Sequence, residues 1–224
     1  MSEAADRPHL DEQLVRVPAG PVTLEGNLAV PPKAQALVLF AHGSGSSRHS
    51  PRNRFVARVL TEAGLATLLT DLLTAAEEEV DTVTRHLRFD IPLLAQRLVA
   101  ITDWLAAQPQ IQSMRIGYFG ASTGAAAALI AAADRPQAIG AIVSRGGRPD
   151  LAGAALGRVR APTLFIVGGQ DLPVLELNRE ALRQLRAEAQ LVVVPGATHL
   201  FSEPGALEEV ARLSAAWFTR YLAG

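Results

Sequence analysis

The sequence predicts an α/β fold, in which a mostly parallel central sheet carries helices on both faces and an antiparallel hairpin at its N-terminal edge. Two observations support this. Short β-branched or leucine-rich runs alternate with longer segments of helical period along the 224 residues. The chain is also 49% hydrophobic, enough for one sizeable core, so we expect a single domain over residues 1–224, with residues 1–12 as a flexible leader.

The strands are predicted from short apolar runs between turn signals. Residues 13–30 alternate in polarity around Gly20-Pro21, which predicts the edge hairpin. The remaining strands are predicted at residues 36–41, 65–70, 114–119, 139–143, 163–167 and 191–194. Too few residues separate the strands at 139–143 and 163–167 to hold a cap domain there, so the site is expected to be open.

The helices are predicted from caps and from apolar residues at helical spacing. Ser50 before Pro51 indicates a helix start, and Gly64 indicates its end. Further helices are predicted near residues 90–107, 123–133, 175–185 and after Pro204. The polar segment 71–89 contains three consecutive glutamates, which we interpret as a solvated face.

Composition excludes several classes of function. With 21 basic and 22 acidic residues the net charge is -1, so no electropositive field exists to bind nucleic acid. The absence of cysteine excludes disulfides and thiolate metal sites. The N-terminus lacks the pattern of a secretory signal, and no apolar run approaches the roughly 20 residues that span a bilayer. We therefore expect a cytoplasmic protein without membrane contact; its oligomeric state is left open.

The motif Gly120-Ala121-Ser122-Thr123-Gly124 lies between a predicted strand and a predicted helix. Acyl-transfer chemistry needs a nucleophile on a sharp strand-to-helix turn, and small neighbouring residues permit that turn. Ser122 is therefore the candidate nucleophile. The alternative is an ordinary helix N-cap, since a motif of this kind also arises by chance.

Asp171 and His199 each follow a later predicted strand, and therefore reach the same edge of the sheet as Ser122. The order serine, acid, histidine is that of a strand-to-helix nucleophile with its base and orienting carboxylate. Asp171 is alternatively a simple turn residue. Of the five histidines, His199 alone follows both other candidates, and His42 is interpreted as structural.

With these residues the chain resembles the α/β-hydrolase superfamily, and within it the small lid-less members of the dienelactone hydrolase type, over residues 20–222. The resemblance implies a three-layer α/β-hydrolase fold, a triad of Ser122, Asp171 and His199, and an oxyanion hole formed by the amides of Ser44 and Thr123. Dienelactone hydrolases carry cysteine as the nucleophile. Ser122 at that position favours a serine esterase over activity on dienelactone itself.

Two further features have competing interpretations. The glycine-rich loop from His42 to Ser47 could cradle phosphate, but it lacks the Gly-Lys-Ser/Thr ending of a nucleotide-binding loop. Arg145 follows a strand at the predicted catalytic edge and is a candidate to bind a substrate carboxylate through paired hydrogen bonds. The alternative for Arg145, and for nearby Arg148, is a surface arginine.

The sequence thus predicts a serine hydrolase that cleaves a carboxylic ester or lactone through an acyl-serine intermediate, with no organic cofactor and no metal. The expected partner is a small-molecule substrate, anionic if Arg145 binds it. Two alternatives remain open: an acyltransferase that uses the same three residues, and a non-catalytic binding module on the same fold.

Overall fold

A computed structural model describes residues 12–222 and confirms the predicted fold class. Within them, eight strands form one sheet in the order β1-β2-β4-β3-β5-β6-β7-β8. The β1–β2 and β2–β4 pairs are antiparallel and the others parallel. The strands are β1 (Gln13–Ala19), β2 (Val22–Ala29), β3 (Ala36–Ala41), β4 (Ala66–Thr70), β5 (Arg115–Ala121), β6 (Ile139–Arg145), β7 (Thr163–Gly168) and β8 (Ala189–Val194).

Helices cover both faces of this sheet and give the three predicted layers. They are α1 (Pro51–Glu62), α2 (Ala75–Thr84), α3 (Ile91–Ala106), α4 (Thr123–Asp134), α5 (Leu172–Gln184) and α6 (Ala206–Leu222). Short 3₁₀ segments lie at Leu87–Phe89 and Pro149–Arg158. Neither of these was predicted, and no cap domain interrupts residues 12–222.

Two apolar cores lie on opposite faces of the sheet. One contains buried side chains of α3 and α4, such as Leu98 and Leu129, and the other contains those of α1 and α6, such as Leu60 and Phe218. The alanine-rich helix α4 is almost completely buried, because its small side chains allow close packing on the sheet. The sheet between these cores is a rigid platform for the loops at its carboxyl edge.

The predicted leader falls almost entirely outside the described residues, which begin at Glu12. Glu12 itself is not free. Its carboxylate accepts hydrogen bonds from Arg54 of α1 at 2.9 and 3.1 Å and from the Asn27 amide at 3.1 Å. The last residue of the predicted leader is therefore hydrogen-bonded to α1 and β2.

The acidic segment after β4 differs from the prediction. It forms α2, which begins with a capping box between Thr74 and Glu77. Glu77 also binds the buried Arg97 of α3 at 2.6 and 2.9 Å, and this guanidinium lowers the pKa of the Glu77 carboxyl. The interpretation as a solvated face is wrong for Glu77, because its partner lies on a different helix and leaves no pattern near it in the sequence.

The helices of residues 12–222 include none with both the length and the apolar character needed to cross a membrane.

Candidate active site

Ser122 lies at the carboxyl edge of the sheet, between the end of β5 and the start of α4. Its backbone has φ 49° and ψ −121°, a conformation that non-glycine residues rarely adopt and that the surrounding structure must impose. As a result the side chain makes no capping hydrogen bond to α4. The alternative interpretation of Ser122 as an ordinary helix cap therefore loses its main support.

The two glycines of the motif permit this tight turn by removing side-chain atoms. A Cβ on Gly124 would lie 2.2 Å from the carbonyl oxygen of Ala41, and a Cβ on Gly120 would lie 2.4 Å from the Cα of Ala125. Both distances are shorter than real Cβ contacts. The helix can thus start directly against β3 and β5, which leaves Ser122 at the apex of the turn.

His199 and Asp171 are in direct contact. Nδ1 of His199 lies 2.6 Å from Oδ2 of Asp171, which fits an Nδ1–H that donates to the carboxylate. With this bond in place, the proton of the imidazole lies on Nδ1, and Nε2 is the nitrogen that can accept a proton. The His199 side chain is 40% exposed and that of Asp171 is 13% exposed, so the base faces the open side while the acid is covered.

The loops that carry His199 and Asp171 are joined by a hydrogen bond. The amide of Gln170 donates to the carbonyl of Ala197 at 2.9 Å. The amide and hydroxyl of Thr198 both donate to the Glu203 carboxylate, at 3.0 and 2.6 Å, and these bonds lower the pKa of Glu203. Glu203 therefore restrains the residue next to His199, a role that the sequence pattern did not reveal.

The His199 ring lies beside Gly146, which follows β6, and β6 is the strand that pairs with β5 next to Ser122. The Ser122 amide donates to the carbonyl of Arg145 at 3.3 Å, and a Cβ on the next residue, Gly146, would lie 3.5 Å from two atoms of the His199 ring. Gly146 has φ +51°, which glycine adopts easily. Sequence reasoning missed Gly146; the glycine pair after β6 was the available signal.

The predicted oxyanion loop has one unexpected contact. The Ser44 amide donates to the Thr123 side-chain hydroxyl oxygen at 3.0 Å. Thr123 is buried and Ser44 is half-buried. The Ser44 amide, predicted as an oxyanion donor, is thus already bonded, whereas the Thr123 amide lies in the first turn of α4, where helix amides have no partner within the helix.

His42 has a structural environment, as the sequence interpretation expected. Its Nδ1 lies 3.0 Å from the carbonyl of Gly43, and its Nε2 accepts from the Leu72 amide at 3.0 Å. Burial lowers the pKa of His42, so the ring is held neutral. Both ring nitrogens are used to fix the loop after β3 against the loop after β4.

Arg145 is the last residue of β6, which extends beyond the predicted strand end. Its side chain is buried, with 8% of the residue exposed, and its Nε and Nη1 have no hydrogen-bond partner within residues 12–222. Its guanidinium lies 5.8 Å from the centre of the Phe201 ring. Burial, together with the positive charge of Arg52, lowers the pKa of Arg145 to about 10. By contrast, Arg148 binds Asp150 at 2.7 and 2.8 Å.

No cluster of three or more histidine, aspartate or glutamate side chains suited to a metal ion occurs in the described range.

Comparison with known proteins adds three findings. The dienelactone hydrolase family model matches residues 24–221. A crystal structure of a dienelactone hydrolase from Anabaena variabilis is 62% identical, with a TM-score of 0.93, over 94% of this chain and 98% of that chain. A lid-less α/β serine hydrolase from Xanthomonas campestris is 21% identical, with a TM-score of 0.73, over 95% and 96% of the two chains, and shows likeness of fold alone.

A curated relative from Mycobacterium tuberculosis carries a different name. It is provisionally named a phosphoribosyl transferase and is 61% identical over 221 residues. The match covers 99% of this chain but 49% of that protein. The chain therefore spans about half the length of the curated relatives that it matches.

Proposed function

Because the chain belongs to the dienelactone hydrolase family, we propose that it is a serine hydrolase that cleaves a carboxylic ester or lactone through an acyl-serine intermediate. The observation that carries the proposal is the 2.6 Å contact between His199 and Asp171, at the same carboxyl edge of the sheet as the strained Ser122. This arrangement supplies a nucleophile, a basic nitrogen and an orienting carboxylate.

In the first half of the proposed reaction, Nε2 of His199 takes the proton of the Ser122 hydroxyl as Oγ attacks the substrate carbonyl. The bond to Asp171 keeps the imidazole in the required tautomer and stabilises the imidazolium that forms. The carbonyl oxygen becomes an oxyanion. Donors at the start of α4 stabilise it, and His199 then protonates the departing alkoxide, which leaves the acyl-serine.

In the second half, His199 deprotonates a water molecule that attacks the acyl-serine, and the proton then returns to Oγ of Ser122. The 40% exposure of the His199 side chain gives water direct access. An alcohol or amine could replace water at this step, which would make the protein an acyltransferase. Product analysis with added acceptor alcohols separates transfer from hydrolysis.

We further propose that Arg145 binds a carboxylate on the substrate. A buried guanidinium without a hydrogen-bond or ion-pair partner lowers the stability of the folded protein. Among residues 12–222, the charged group that affects Arg145 is Arg52, and no carboxylate binds its buried nitrogens. An anionic group of the substrate would supply the missing charge. The location of Arg145 at the end of β6, with its carbonyl bonded to the Ser122 amide, would set this group beside the reacting carbonyl.

The proposed hydrolysis is tested with p-nitrophenyl butyrate and Ser122→Ala. We expect the wild type to release p-nitrophenol and the variant to lose this activity by at least about 10⁴-fold in kcat, as other hydrolases do when the nucleophile is removed. Equal rates in both proteins would remove Ser122 from the mechanism. Failure of a fluorophosphonate to label the wild type would favour the non-catalytic binding module.

The carboxylate proposal is tested by comparing p-nitrophenyl esters of butyrate and of succinate, which differ by a free carboxylate. Arg145→Met should raise KM for the succinate ester by roughly 10-fold or more, since a hydrogen bond to a charged group is worth about 1.5–3 kcal/mol. The butyrate ester should change little. Equal effects on both esters would reject a carboxylate contact at Arg145.

The name of the mycobacterial relative suggests a second candidate, phosphoribosyl transfer. The local chemistry favours hydrolysis, because the strained serine and the histidine–aspartate pair serve acyl transfer directly. We therefore attribute the activity in that name to the part of the relative that has no counterpart in this chain. Incubation with a phosphoribosyl diphosphate and a nucleobase should release no diphosphate; release of diphosphate would contradict this attribution.

A further inference from the structure

The contact between Ser44 and Thr123 joins two positions that the family resemblance assigns to the oxyanion hole. In the resemblance, both contribute backbone amides. In the structure, the Ser44 amide donates to Oγ1 of Thr123 at 3.0 Å. An amide has a single hydrogen, so this donor is engaged before any substrate arrives.

The Thr123 hydroxyl has a hydrogen of its own to donate. It accepts from Ser44, but no acceptor for its own hydrogen exists among residues 12–222. Thr123 is 3% exposed, so water has little access to this group. A buried donor without an acceptor costs free energy, which an acceptor on the substrate would recover.

Its location fits such an acceptor. Thr123 directly follows Ser122, and its own amide lies in the first turn of α4. The N–H and the Oγ1–H of one residue are close enough to donate to the same oxygen. The bond that Oγ1 accepts from Ser44 also polarises the hydroxyl and strengthens it as a donor.

We propose that the Thr123 hydroxyl, rather than the Ser44 amide, is the second donor of the oxyanion hole. The Ser44 amide then acts as a positioning group that fixes Oγ1 and directs its hydrogen toward the oxyanion. Thr123 contributes both its amide and its hydroxyl and is a catalytic residue. This inference rests on the proposed function, since an oxyanion forms only if Ser122 attacks a carbonyl.

The test replaces the hydroxyl with a methyl group of similar size. Thr123→Val should lower kcat for p-nitrophenyl butyrate by about 100-fold, with KM within about twofold, because one oxyanion donor contributes about 10²–10³ in kcat. Thr123→Ser keeps the hydroxyl and should retain most of the wild-type rate. In Thr123→Val, the rate at which diethyl p-nitrophenyl phosphate phosphorylates Ser122 should also fall, because the phosphoryl (P=O) oxygen of this reagent uses the same donors.

The matched control is Thr61→Val on α1. Thr61 is a buried threonine whose hydroxyl donates to the carbonyl of Ala57 at 2.8 Å, away from the site. This variant should lose stability without loss of kcat. Thermal unfolding of each variant shows which of them are folded when the rates are measured.

The outcomes separate this inference from the proposed function. If Thr123→Val is as active as the wild type, or faster, then the Ser44 amide is the working donor and the inference is overturned while the serine hydrolase proposal stands. If Thr123→Ser is as impaired as Thr123→Val, the hydroxyl is not the group that matters and the inference also fails. If wild-type Ser122 reacts with neither reagent, both proposals are rejected.

Discussion

Two arginines with nearly equal burial have opposite surroundings. Arg97, on the side of the molecule covered by α2, is 6% exposed and binds both carboxylate oxygens of Glu77. Arg145, at the carboxyl edge of the sheet, is 8% exposed and has two buried nitrogens without partners in the described part of the chain. The difference fits a role of Arg97 in the stability of the fold and supports our proposal that Arg145 binds a substrate carboxylate.

The contrast extends to the residues around each arginine. Near α2, the carboxylates of Asp71 and Asp81 bind Arg48 and Arg88, so positive and negative charges are matched. At the carboxyl edge of the sheet, Ser122 has a strained backbone, and the Thr123 hydroxyl hydrogen has no acceptor among residues 12–222. Changes near α2 should therefore reduce stability and spare the rate, while changes at the edge should do the reverse.

The largest effect is expected for Asp171→Asn. The amide keeps the shape of the carboxylate but favours the wrong imidazole tautomer, so under the proposed mechanism kcat should fall by about 10⁴-fold, as it does in the Ser-His-Asp triad of serine proteases. The free energy of unfolding should change by less than about 1 kcal/mol, since the side chain is retained in size. Urea unfolding and ester hydrolysis measure the two quantities. A large loss of stability with a preserved rate would mean that Asp171 stabilises the fold and takes no part in the reaction.

Glu77→Ala should give the opposite result. It leaves Arg97 buried without its ion pair, which should lower the free energy of unfolding by about 3 kcal/mol. The kcat of the folded protein should remain close to that of the wild type, because Glu77 lies outside the proposed mechanism. Urea unfolding followed by circular dichroism gives the stability; Glu79→Ala, at an exposed position of the same helix, serves as the control and should be neutral.

Arg145→Met tests whether the second buried arginine contributes to the free energy of unfolding, and we expect that it does not. Replacement of an unpaired buried charge by an apolar side chain of similar length should leave the free energy of unfolding unchanged or raise it by about 1–2 kcal/mol. The same urea titration tests this. A loss as large as that of Glu77→Ala would mean that Arg145 is structural, and would remove the contrast between the two arginines.

The smallest effect is a pH dependence that arises from His42. Burial lowers its pKa below the ordinary 6.5, despite the opposing hydrogen bond to Gly43 and the charges of Asp71 and Glu78. As pH falls below 6.5, the unfolded chain therefore binds a proton that the folded chain does not. Stability contributed by neutral His42 is fully present above pH 6.5 and is lost as pH falls toward the folded pKa.

This dependence is measured as the free energy of unfolding at pH 7.5 and pH 5.5. The wild type should lose more stability between these values than His42→Gln does. His86→Gln, a change at an exposed histidine, should keep the wild-type slope. An unchanged slope in His42→Gln would show that other groups cause the pH dependence.

The sequence predicted most of the fold because its signals are local. Caps at Ser50, glycines at the turns and the period of apolar residues mark where elements begin and end, and β3 was predicted to the residue. The meeting of His199 with Asp171 was inferred from the common edge that parallel strands share. The pair of Glu77 with Arg97, the loop contact of Glu203 and the Ser44–Thr123 bond join distant residues, and no local pattern encodes them.

The proposed mechanism requires that Ser122 attacks a carbonyl and carries the acyl group. Mixing the protein with p-nitrophenyl butyrate and quenching early should give one butyryl group per molecule by intact mass, and peptide mapping should locate it on Ser122. The Ser122→Ala variant should carry none. An acyl group on another residue, or hydrolysis by the wild type at the same rate as by Ser122→Ala, would contradict the proposed role of Ser122.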